Sequence, residues 1–65
     1  MPTMRPKFEV GDRVRGNAKA PGDYAERQGT VVERGPGRAE YGVRFDDGRT
    51  TEPEHLNSWW LDRLA

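Results

Sequence analysis

The chain has 65 residues, with 11 Lys+Arg balanced by 11 Asp+Glu and no cysteine. Hydrophobic residues make up 32%, and only fourteen of them are large or aromatic: five Val, three Leu, two Phe, two Trp and two Tyr. That inventory supports one thin core in one small domain but not a deep substrate pocket besides. The missing cysteines remove disulfides, thiolate metal sites and thiol nucleophiles.

In chain order, residues 1–6 read as a flexible arm, because Pro2 and Pro6 resist helix. Residues 7–65 form the domain. Phe8 and Val10 alternate with Lys7 and Glu9 as a short strand. Gly11-Asp12 breaks it, and Arg13-Val14-Arg15 resumes extended backbone. Residues 16–28 show no period and form a long loop around Pro21-Gly22, carrying Tyr24. Thr30-Val31-Val32 is β-branched and predicts a strand, with Gly29 at a bulge or a left-handed position before it. Gly35-Pro36-Gly37 turns the chain. Tyr41-Gly42-Val43-Arg44-Phe45 is the cleanest strand, with Tyr41, Val43 and Phe45 on one face. Asp46-Asp47-Gly48 is a hairpin turn, which predicts an antiparallel return over Arg49-Thr50-Thr51.

The last fourteen residues admit two readings. Leu56, Trp59, Trp60 and Leu64 have helical spacing. Pro53, Asn57 and Ser58 favour instead an extended Thr50–Pro53, a short turn or single helical turn near Asn57–Trp60, and a closing strand at Leu61–Leu64. Short strands separated by Gly/Pro turns predict an all-β fold. At this length a small closed barrel of about five short antiparallel strands is expected, since closure removes exposed edges. The predicted core is Phe8, Val10, Val14, Val31, Val43, Phe45, Leu56 and Leu61.

Two segments carry a family resemblance. Val10-Gly11-Asp12-Arg13-Val14-Arg15 resembles the opening of SH3-like barrels. Gly22, Tyr24, Gly29 and Val31 are spaced similarly to the KOW motif of transcription elongation factors and ribosomal proteins, with Glu26 where that family often has a glycine. Tyr41 to Gly48 resembles the central hairpin of Tudor-like barrels. The opening and the Tyr24–Val31 region are also similar to the SH3-like domain of nitrile hydratase β subunits. The resemblance covers about residues 8–51 and implies a recognition module.

The zero net charge divides into two halves. Residues 1–38 hold eight Lys/Arg and five acids, and residues 39–65 hold three and six. Arg13, Arg15, Lys19, Arg27, Arg34 and Arg38 are candidates for a phosphate-binding face, with Tyr24 as a base-stacking platform. Solvated strand-edge charge is the alternative. A second candidate surface is for protein: Tyr41, Trp59 and Trp60 with Asp46 and Asp47, where an exposed aromatic anchors a partner or attracts a cation. Alternatively both Trp residues serve as core and lid.

His55, with Ser58 and Glu54 nearby, lacks a nucleophile elbow and an oxyanion turn, so no catalysis is expected. One His with scattered carboxylates is not a metal-ligand set. No glycine pattern matches a phosphate cradle. The expectation is a non-enzymatic module without cofactor or small-molecule substrate. With no long apolar run and no apolar leader, it is expected to be cytoplasmic and off the membrane.

Overall fold

The computed structural model describes residues 8–37 and 39–64; the expected arm at 1–6 lies outside them. Alternation of large apolar and polar residues produces five strands: β1 (Arg13–Gly16), β2 (Gln28–Arg34), β3 (Glu40–Phe45), β4 (Glu54–Asn57) and β5 (Leu61–Arg63). All pairings are antiparallel, in one sheet of order β4-β3-β2-β1-β5. A 3-10 turn at Ser58–Trp60 connects β4 to β5, so the two edge strands are joined by three residues. The fold is all-β: five antiparallel strands in one sheet, with one 3-10 turn near its C-terminal end. No helix among the described residues is long and apolar enough to cross a membrane.

The core consists of Phe8, Val14, Val31, Tyr41, Val43, Phe45, Leu56 and Leu61, with Tyr24 and Trp60 packed against it. Register explains the set. Val31 pairs with Val43, and Tyr41 pairs with Leu56; each pair points inward. A bulge between Val31 and Glu33 changes the face presented by the rest of β2. Glu33 therefore turns outward although it lies two residues from buried Val31.

The structure corrects four expectations. Val10 is 63% exposed and not core. The turn expected at Gly11-Asp12 begins already at Glu9 and replaces the short strand expected at Phe8–Val10: Asp12 Oδ2 accepts from Glu9 N at 2.9 Å, Asp12 N donates to the Glu9 carbonyl at 3.0 Å, and Gly11 has φ 100°. Tyr41 is buried instead. Its hydroxyl accepts from Phe8 N at 3.4 Å, and its ring meets Phe8 edge-on at 5.4 Å.

The return strand begins at Glu54, later than Arg49-Thr50-Thr51. Gly48 makes the expected turn with φ 68°. Side chains then hold the next residues out of the sheet: Arg44 Nη1 donates to the Thr51 carbonyl at 2.8 Å, and Arg49 pairs with Asp23. Gly29 lies inside β2, and the described left-handed glycines are Gly11, Gly22 and Gly48. Its requirement is steric, because a Cβ there would sit 2.6 Å from the Arg44 carbonyl oxygen.

The C-terminal segment takes the extended–turn–strand reading. Asn57 caps the 3-10 turn by accepting from Trp59 N at 2.9 Å, as Asn does at helix starts. Buried Ser58 donates its N–H to the Ala39 carbonyl at 2.6 Å.

Candidate interaction surface

The loop over residues 17–27 is closed at its base by Gly16. Gly16 N donates to the Arg27 carbonyl at 2.8 Å, and Glu26 N donates to the Gly16 carbonyl at 2.7 Å. A Cβ on Gly16 would lie 2.0 Å from the Tyr24 carbonyl oxygen, so the loop can approach only a glycine. Glu26 has φ 68°, a left-handed conformation that a non-glycine residue adopts only where surrounding contacts hold it. Asn17 orders the other side: its Oδ1 accepts from Lys19 N at 2.9 Å, and its N–H donates to the Trp60 carbonyl at 2.8 Å.

Within this frame Arg27 and Tyr24 turn inward. The Arg27 guanidinium carbon lies 4.2 Å from the Phe45 ring centroid and 5.2 Å from that of Tyr24. Its Nε and Nη2 donate to the two Asp47 oxygens at 2.6 and 3.1 Å, and Nη2 also donates to Glu54 Oε2 at 3.1 Å. The side chain is 9% exposed. The Tyr24 hydroxyl donates to Glu54 Oε1 at 2.7 Å, and that bond, with burial, raises its pKa above the usual tyrosine value. The hydrogen bond from Arg27 holds the Asp47 carboxyl below the usual aspartate range, and the same contact raises the arginine further.

The other expected phosphate contacts are dispersed. Arg13 reaches across β2: Nη1 donates to Thr30 Oγ1 at 2.8 Å and to Asp46 Oδ1 at 2.9 Å, and Nη2 donates to Asp46 Oδ2 at 2.5 Å. The Arg13 hydrogen bond lowers the Asp46 pKa. Arg34 stacks over Tyr41 at 5.7 Å from the ring centroid. Arg38 lies outside the described residues. Arg15 and Lys19 are exposed and border an open groove with Asn17, Glu26 and Asp62. Arg15 sits opposite Asp62 in the β1–β5 register, so the groove alternates in sign.

The expected protein-binding residues also separate. Tyr41 is core. Asp46 and Asp47 each hold a different arginine. Trp60 is half-buried against the core, whereas Trp59 is 70% exposed. The Trp59 carbonyl accepts from Asn17 Nδ2 at 2.8 Å, which ties the exposed indole's backbone to the groove wall. His55 Nε2 lies 2.6 Å from Glu33 Oε2 on the outer face, across the side-chain-less Gly42 that sits opposite both residues. Glu54 turns the other way, toward Tyr24 and Arg27. No three His, Asp or Glu side chains among the described residues come together as metal ligands.

Sequence reasoning missed Asn17, Phe45 and Glu54 as parts of these arrangements. Asn17 carried a faint signal, as an Asn at the start of a loop. No protein-family model, curated protein or solved structure matches the chain.

Proposed function

We propose that the chain is a non-enzymatic recognition module that docks a protein partner on Trp59 and the adjoining groove of Arg15, Lys19, Glu26 and Asp62. The observation that carries this reading is the exposed indole. A core with eight buried residues among those described has few large side chains to spare, and Trp on a surface is enriched where partners bind. The groove beside it holds both charge signs, which suits a polar rim around an aromatic anchor. The expected nucleic-acid face is less well supported. Arg13 and Arg27 are bound to carboxylates, and the Tyr24 hydroxyl is held by Glu54.

The test is a peptide-display selection on the full chain, followed by affinity measurement on Trp59→Ala. A hot-spot residue costs at least about 2 kcal/mol on truncation, or roughly thirty-fold in Kd. Selected peptides that bind both proteins equally overturn the reading. A parallel salt titration with single-stranded RNA and duplex DNA reads the other class. Binding at low salt that survives Trp59→Ala and is lost in Arg15→Ala/Lys19→Ala replaces the protein surface with a phosphate-binding one.

A further inference from the structure

A separate site lies where Tyr24 and Arg27 of the 17–27 loop meet Phe45, Asp47 and Glu54. Tyr24 and Phe45 present two ring faces, tilted 32° to each other with centroids 5.8 Å apart. Asp47 and Glu54 add two carboxylates at the same place. These are the components of a cation receptor: π-faces for the delocalised charge and a carboxylate able to take two parallel N–H bonds from a planar fork. Phe45 is buried, and the Glu54 side chain is 18% exposed.

We propose that Tyr24, Phe45, Asp47 and Glu54 form a guanidinium-binding pocket whose resident ligand is the chain's own Arg27. The shape of the contacts selects the ligand class. Arg27 Nε and Nη2 both meet Asp47, Nη2 is shared with Glu54, and the guanidinium carbon stands over Phe45. A lysine ammonium has no fork to present to Asp47 and no plane to lay on the ring. The two acids exceed the single positive charge of Arg27, and Arg49 Nε approaches Asp47 at 3.6 Å from outside. The pocket is thus filled in cis. An arginine from another chain can enter only by displacing Arg27, whose carbonyl is bonded to Gly16 at the base of the loop.

The experiment is chemical rescue of Arg27→Ala in the full chain, with methylguanidinium chloride as the probe and sodium chloride at equal concentration as the control. The expected result is a lowered Tm that rises with the logarithm of methylguanidinium concentration, accompanied by shifts of the Tyr24 and Phe45 ring resonances. Wild-type protein shows neither response. A Tm of Arg27→Ala that responds equally to both salts overturns the proposal, as does an equal response of the wild type. If Arg27→Ala does not fold, Arg27→Lys decides. It keeps the charge and loses the fork, so its Tm is expected to fall by at least about 4–8 °C. A lysine variant as stable as wild type shows that charge alone is recognised and overturns the assignment.

Discussion

Asp46 and Asp47 are neighbours in sequence, and each binds an arginine, but the two pairs lie in different surroundings. Arg13 meets Asp46 on the open face of the sheet, with its side chain 41% exposed. Arg27 meets Asp47 under a loop, over two aromatic rings, with a second carboxylate from β4. An exposed pair gains little, because water and salt screen it and two long side chains must be ordered. A covered pair stacked on apolar surface also contributes packing. The contrast shows why the balanced charge of this chain says little about its stability: the setting of each pair decides its worth.

The sharpest way to break the contrast is to remove the floor of the covered site. Phe45→Ala is expected to cost about 3–5 kcal/mol, read by urea denaturation. In a domain with stability near the lower end of about 5–15 kcal/mol, that leaves a barely folded protein. A variant only slightly destabilised shows that Phe45 does not support the core or Arg27. Next is Arg27→Ala, which loses the stacking on two rings, a contact of about 2 kcal/mol when desolvated. Arg13→Ala, measured beside it, is expected to lower Tm by much less, as an exposed pair gains little. Equal losses in the two variants erase the distinction between the regions.

Acid sharpens the same comparison. Asp46 and Asp47 are both held below the ordinary aspartate pKa, first by the hydrogen bond from their arginine. A depressed carboxylate contributes stability that is present above its unfolded value, about 3.9, and is lost as pH falls through the folded value. Stability is therefore expected to decline below about pH 4, with a shallower acid limb in Asp47→Asn. An unchanged limb removes Asp47 from the linkage. The smallest effect on stability is expected from Trp59→Ala, with Tm unchanged and the long-wavelength part of the Trp emission lost. A large fall in its Tm makes Trp59 structural and removes the case for a docking anchor.

Much of the fold was legible because strand alternation is local. Tyr41, Val43 and Phe45 share a face at spacing two, and Asn57–Trp60 announced a turn between extended segments. Val10 misled because its alternation with Phe8 looks regular until the Asp12 side chain folds the chain back onto Glu9. The β3–β4 connection misled because Asp-Gly does make its turn, and the side chains of Arg44 and Asp23 then hold Thr51 and Arg49 away from the sheet. The candidate sites were less legible for the same reason. Arg27 meets Asp47 and Glu54 across 20 and 27 residues, and no periodicity encodes such pairings. Glu26 marks the boundary between the two cases. Its φ of 68° is a conformation that glycine adopts without strain, and no local pattern announces it at a glutamate.

The capped turn that carries Trp59 has a kinetic and entropic consequence. Its backbone is held at three points, by Asn57 on its N–H, by Asn17 on its carbonyl and by Ser58 N on Ala39. The docking proposed at Trp59 would therefore have little main chain left to immobilise, and an indole brings only two side-chain torsions to restrict. On that proposal the anchor would meet its partner nearly preformed, and sequence changes in the partner are expected to appear mainly in residence time and much less in the rate of encounter.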